Sequence, residues 1–299
     1  RGSTFPLSGN LYNSTKSVTL TKTQNSTAEG WNLVGNPFPC SMAANTAADG
    51  TNNFISRNTS LLDDTWGGIY FFDESINDYV TVSNGSTEAY ISSGQGFMVM
   101  TKQNGNSISF HVDDRKHGAA NFYKDGDQNS RTYLTLNGPD DQMNPAEIVF
   151  LEGMTKELDP GFDAGKFKGN DEISLYTIMA GNGSHELAIQ ALPAGDERFV
   201  VPVGFLAGTP GTYTLSAEHL NFDPGYPITL EDNQENIQVD FAQKPDYTFM
   251  VDQPGTYNNR LRIHYNSKVA VEETAITAEP EIRIYASGES IFVQCPDDQ

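Results

Sequence analysis

The densest grouping of imidazole and carboxylate in this 299-residue chain is His111-Val112-Asp113-Asp114-Arg115-Lys116-His117. Two imidazoles and a carboxylate suit a transition metal. Arg115 and Lys116 between them repel a cation, so the stretch reads instead as a strand end capped by His111, followed by a solvated linker. Calcium is the better metal candidate. Asp125, Asp127 and Asn129 present alternating oxygen side chains as a calcium loop does. Ser130 stands where the turn glycine of an EF-hand belongs and Leu136 where its bidentate glutamate belongs, so Asp140 and Asp141, with Asn144 and Glu147, are the residues expected to complete a site across a turn. A third grouping is aromatic. Trp66, Tyr70, Phe71, Phe72 and Tyr79 form a candidate sugar-stacking platform, with Asp73, Asn77 and Asp78 as hydrogen-bonding partners for hydroxyls. In a strand Ile69-Tyr70-Phe71-Phe72, at least every second ring must face a core.

Motifs of the common catalytic classes are absent. The chain has no Gly-x-Ser-x-Gly elbow, no phosphate-cradling or dinucleotide glycine loop and no His-Glu-x-x-His. His185, His219 and His264 are scattered singly in strand contexts. Carboxylate pairs will arise by chance among 39 acidic residues, so none identifies a hydrolase. The expectation is a non-enzymatic protein with no cofactor, calcium aside.

The elements that must position these groups are strands. Helical periodicity is nearly missing. What recurs is a run of four to eight β-branched and aromatic residues closed by Gly, Pro, Asn or Asp. Trp31-Asn32-Leu33-Val34, Phe97-Met98-Val99-Met100, Thr132-Tyr133-Leu134-Thr135-Leu136 and Arg260-Leu261-Arg262-Ile263-His264-Tyr265 are examples. Gly35-Asn36-Pro37, Asn84-Gly85 and Asn104-Gly105 supply turn chemistry between them. Only Met42-Ala43-Ala44-Asn45 suggests a short helical turn. Strands at this spacing predict an all-β fold: two tandem antiparallel β-sandwich domains, over 1–120 and 121–270, then a linker and a short β-hairpin segment over 271–299.

Charge separates the two halves. Residues 1–120 carry 7 basic and 10 acidic side chains, and residues 121–299 carry 11 and 29, for a net charge of −21. Such a surface repels phosphate backbones and anionic lipid, which argues against nucleic acid as a partner. No apolar run approaches the roughly 18 residues of a spanning helix, so membrane insertion is not expected. Cys40 and Cys295 are the only cysteines, too few for a disulfide framework or a four-cysteine metal site. The chain begins at Arg1 without an initiator Met or a leader, the expectation for a matured product or an excised piece.

Several phrases, in order, resemble a known group. These are Gly30-Trp31-Asn32-Leu33-Val34-Gly35-Asn36-Pro37-Phe38-Pro39 with Gly94-Gln95-Gly96-Phe97, then Phe162-Asp163-Ala164-Gly165-Lys166-Phe167, Val201-Pro202-Val203-Gly204-Phe205 and Arg260-Leu261-Arg262-Ile263-His264-Tyr265. The set is similar to the C-terminal modules of large Bacteroidota surface proteins exported by the type IX secretion system. The segment from Glu281 looks like the start of their sorting domain, without its later half. The resemblance implies a secreted or cell-surface stalk region whose partners are the secretion and surface-attachment machinery. An adhesin module binding a glycan or a host surface protein is the alternative.

Overall fold

The computed structural model describes residues 12–24, 29–116, 128–179, 185–195, 198–265, 283–287 and 290–294. The chain is all-β. Arg1–Ser267 form one compact unit and Lys268–Gln299 a second. The strands of the first part are β1 (Lys16–Thr19), β2 (Trp31–Gly35), β3 (Ser41–Ala43), β4 (Ile69–Asp73), β5 (Asp78–Val82), β6 (Tyr90–Ile91), β7 (Gly96–Met100), β8 (Ser107–Phe110) and β9 (Arg115–Lys116). They make a four-stranded sheet in the order β2-β7-β4-β5, a three-stranded sheet β6-β3-β9 and the pair β1-β8. Phe38, Phe54, Ile69, Phe97, Val99 and Phe110 are among the buried side chains of the core between them.

Two local expectations differ. Met42 and Ala43 lie in β3, paired with Ile91 and Tyr90. The helical turn, α1, is instead Phe54–Asn58, where the Asn53 side chain caps the Ser56 N–H and Phe54 and Ile55 enter the core. The basic pair expected in a solvated linker is also structured. Arg115 and Lys116 form β9 against β3, and the buried Asp114 receives the Arg57 guanidinium at 2.6 Å.

The second part contains β10 (Arg131–Asn137), β11 (Met143–Leu151), β12 (Ala164–Gly165), β13 (Ile173–Ile178), β14 (Glu186–Pro193), β15 (Phe199–Ala207), β16 (Gly211–Leu220), β17 (Ile228–Asp232), β18 (Ile237–Asp240), β19 (Asp246–Val251) and β20 (Gly255–Tyr265). They join one sheet in the order β18-β17-β20-β15-β13-β14-β11-β10-β16-β19, with β12 on β14. Pairing is antiparallel except between β11 and β14. Strict alternation along these strands puts Leu134, Leu136, Val203, Phe205, Leu261 and Ile263 inside. The sheet curls until its far strands meet. Tyr247 of β19 donates its hydroxyl to Asp232 of β17 at 3.0 Å, and Arg260 of β20 bridges Asp232 and the Met250 carbonyl of β19. Side chains, not a strand ladder, complete this closure. In the second unit, β21 (Arg283–Ser287) and β22 (Ser290–Gln294) pair as an antiparallel hairpin.

Candidate functional site

The four-stranded sheet is apolar on both faces, and this decides what its aromatic residues do. Ile69 and Phe71 of β4 point to the core of the first part, so alternation turns Tyr70 and Phe72 outward, beside Trp31 of β2 and Tyr79 of β5. Residues 163–170 of the second part lie across this outer face as a strap. Phe167 stacks on Trp31 with ring centroids 4.3 Å apart and meets Tyr79 at 4.4 Å. Trp66 and Tyr70 close the cluster around Trp31 at 5.5 and 5.0 Å. Gly165 is gripped by the first part on both sides, its N–H donating to the Thr65 carbonyl and its carbonyl accepting the Tyr70 hydroxyl. A Cβ at Gly165 would sit 2.8 Å from the Trp66 ring, so this approach needs glycine.

The strap is rooted in its own half by Asp163, whose carboxyl accepts from the Asp159 and Ala191 N–H groups, both at 2.7 Å. Burial raises that carboxyl to about 7.

Below the rings is a buried polar node. Asp78, at the start of β5, has no solvent exposure. Its Oδ1 accepts from its neighbour's N–H at Tyr79 (2.7 Å) and from the strap at Gly169 (2.5 Å). Its Oδ2 accepts from Asn144 Nδ2 at 2.5 Å and faces the ammonium of Lys166 at 3.6 Å. Asn144 in turn accepts the Leu175 N–H on its Oδ1 at 2.8 Å, and Lys166 Nζ lies 3.4 Å from the Pro145 carbonyl. Burial lowers the Lys166 ammonium to about 8 in spite of the carboxylate beside it.

A second contact between the halves flanks this node. Ser83 donates its hydroxyl to the Phe162 carbonyl at 2.6 Å, and the Asn84 N–H donates to the Gly161 carbonyl at 2.8 Å. Arg131, nearly fully buried, pairs with Glu147 and points Nη1 at the Gly85 carbonyl. A cleft of about 620 Å³ opens here, with Thr46, Asn84, Glu88, Arg131, Glu152 and Phe162 on its walls.

The expected ligand platform is therefore divided. Trp66, Tyr70 and Tyr79 hold the strap, Tyr70 and Asp78 are fully buried, and Phe71 belongs to the inner core. Phe72, 51% exposed, and Asp73 remain at the rim. Asp73 accepts from the Ser75 N–H and hydroxyl, which holds its carboxyl below the usual range. Asn77 occupies the β4–β5 turn at φ +49° and offers its carbonyl to Asn170.

The expected calcium set is not drawn together among the described residues. Asp125 and Asp127 lie outside them. Asn129 precedes β10, whereas Asp140 and Asp141 form the turn after it, at φ +58° and +59°. Seven extended residues separate the two ends by roughly 20 Å, too far for one ion. Asn144 and Glu147 are engaged by Asp78 and Arg131. No group of three or more His, Cys, Asp or Glu that could hold a metal occurs among the described residues. His111 caps the following turn by accepting the Asp113 N–H; His117 lies outside the described residues, as does Cys295, and Cys40 is a half-buried free thiol.

Sequence reasoning did not bring these partners together: Trp31 enters it as a strand residue and within the phrases of the resemblance, Lys166 and Phe167 only within those phrases, Asn144 as a calcium candidate, and Arg131 not at all. Nothing in Ala164-Gly165-Lys166-Phe167 marks the lysine as buried; that follows only from its packing against Asp78 and Pro145.

Fold and junction together define an all-β unit in which two sheet systems interlock through rings and buried charge. Residues 3–265 match a family described as a domain of unknown function (DUF8693), and the chain belongs to this family. Comparisons with curated proteins and with solved structures find no match.

Proposed function

We propose that this chain is a non-catalytic structural region of a secreted or cell-surface bacterial protein exported by a type IX-like pathway, acting as a stiff spacer. The observation that carries this reading is the interlock itself. Trp66, Tyr70, Tyr79 and Asp78, the side chains best suited to a ligand, are spent on gripping residues 163–170 of the neighbouring sheet system. Rings stacked at 4.3 Å over a buried, fully hydrogen-bonded carboxylate resist bending between the halves. The charge of −21 supports the same reading, since it keeps an extended array dispersed.

Cooperative unfolding tests the rigid-spacer reading. Trp31 and Trp66, the two tryptophans of the chain, both report on the junction, while far-ultraviolet circular dichroism reports mainly on the larger sheet. Coincident transitions are expected; early loss of the tryptophan signal would refute a stiff spacer. Export is tested by protease shaving of intact bacteria expressing the full protein, with the chain expected in the released fraction.

A second reading, recognition of a glycan or host surface protein, rests on the exposed Leu33 and Phe72 of the outer sheet face. A glycan array in which binding disappears with Phe72→Ala would favour it.

A further inference from the structure

The node at Asp78 has a composition that simple ion pairing does not require. A lysine, an asparagine and an aspartate, each at most 3% exposed, converge from three segments, and the amine and the amide both approach the same carboxylate oxygen. We propose that Lys166 and Asn144 become joined by an intramolecular amide bond, with Asp78 carrying the proton between them.

The chemistry follows from the contacts. Lys166 Nζ attacks Asn144 Cγ, forming the Nζ–Cγ bond. The negative charge that develops on Asn144 Oδ1 meets the Leu175 N–H already donating to it at 2.8 Å, an oxyanion donor in place before reaction. Asp78 Oδ2 takes the proton released from Nζ and delivers it to Asn144 Nδ2, 2.5 Å away. The Cγ–Nδ2 bond breaks and ammonia leaves. Atoms and charge balance with no oxidant, reductant or external co-reactant.

The surroundings favour attack. Burial lowers the lysine to about 8, so the neutral nucleophilic amine is accessible near neutral pH. The N–H groups of Tyr79 and Gly169 hold Asp78 in place through Oδ1 and leave Oδ2 to face the reacting pair. Proximity is set by the fold, because Nζ also lies 3.4 Å from the carbonyl of Pro145, the residue after Asn144. Asp78 comes from β5 of the first part, while both reacting residues belong to the second. The bond can therefore form only after the halves have docked. It would then tie the strap that carries Phe167 to β11.

Intact mass of the full chain in denaturant tests this directly. The expected value is about 17 Da below the sequence mass, for loss of one ammonia. A tryptic digest should yield one branched peptide joining the Asn144 and Lys166 segments, without cleavage after Lys166. Lys166→Arg and Asn144→Ala should each return the full sequence mass, and Asp78→Ala should leave most of the chain unlinked. If those variants fail to fold, the wild-type mass and digest still decide. A wild-type chain at its sequence mass, cleaved after Lys166, overturns the proposal. So does a loss of about 18 Da with Lys166 joined to Asp78. None of these outcomes depends on whether the protein is exported.

Discussion

Phe167→Ala is the sharpest probe of the interlock. The ring is half-buried, stacked on Trp31 at 4.3 Å and against Tyr79 at 4.4 Å, with Tyr70 at 5.9 Å. A fully buried Phe→Ala change costs about 3–5 kcal/mol, and close ring pairs contribute about 0.5–1.5 kcal/mol each within such totals. Partial exposure brings the expectation here to about 2–3 kcal/mol. With a urea m-value of about 2–3 kcal/mol per molar, the midpoint should fall by about 1 M with little change in slope. Tryptophan emission should shift to the red, because Trp31 and Trp66 lose their cover from the strap. Phe72→Ala is the control: its ring is 51% exposed and touches the cluster only through Tyr79, so a change within about 0.5 kcal/mol is expected. A Phe167→Ala loss no larger than that of Phe72→Ala would mean that the rings do not couple the halves, and the rigid-spacer argument would fail with them.

Other substitutions probe separate features. Gly165→Ala places a methyl 2.8 Å from the Trp66 ring, which the packed cluster cannot yield; a loss of about 1–3 kcal/mol is expected in thermal or urea unfolding. Arg260→Met strips the buried Asp232 of its 2.9 Å guanidinium partner at the closure of the large sheet and should cost about 3–5 kcal/mol, part of which Asp232→Asn in the same chain should restore. His219 accounts for a pH effect. It contacts Thr132 and the Phe241 carbonyl, and burial pulls its pKa below the ordinary 6.5. Below that ordinary value the unfolded chain binds a proton that the folded chain refuses, so His219 contributes a loss of stability as pH falls through about 6.5, opposed by Asp163 and Glu147, whose carboxyls, raised by burial to about 7, take up protons in the folded chain over the same range. His219→Gln should therefore raise the urea midpoint at about pH 5.5 relative to that at about pH 7.5, compared with the parent chain, and an identical pH profile would rule out a contribution from His219.

Much of the fold is legible in residue order because strand formation is a local matter of alternation and turn chemistry. Leu134 and Leu136 alternate with Tyr133 and Thr135 whatever lies nearby, and Asn77 in its turn takes the left-handed φ that short polar residues tolerate. The hairpin at 283–294 follows from the same pattern. The early helix was misplaced because Met42-Ala43 has helical propensity, whereas two cross-strand ladders, to β6 and β9, outweigh it.

The junction was out of reach for a different physical reason. Alternation says that Tyr70 and Phe71 point to opposite faces of β4; it does not say that the outer face is covered by a strap nearly a hundred residues later. Asp78 as read along the chain is an exposed acid beside an aromatic platform, and nothing there marks Lys166 as buried. Their burial, the lowered amine and the shared oxygen arise only when β5, β11 and residues 163–170 are brought together. Identity and spacing set the strands and the faces. Long-range packing chose which polar groups left water, and so where this chain could carry out chemistry upon itself.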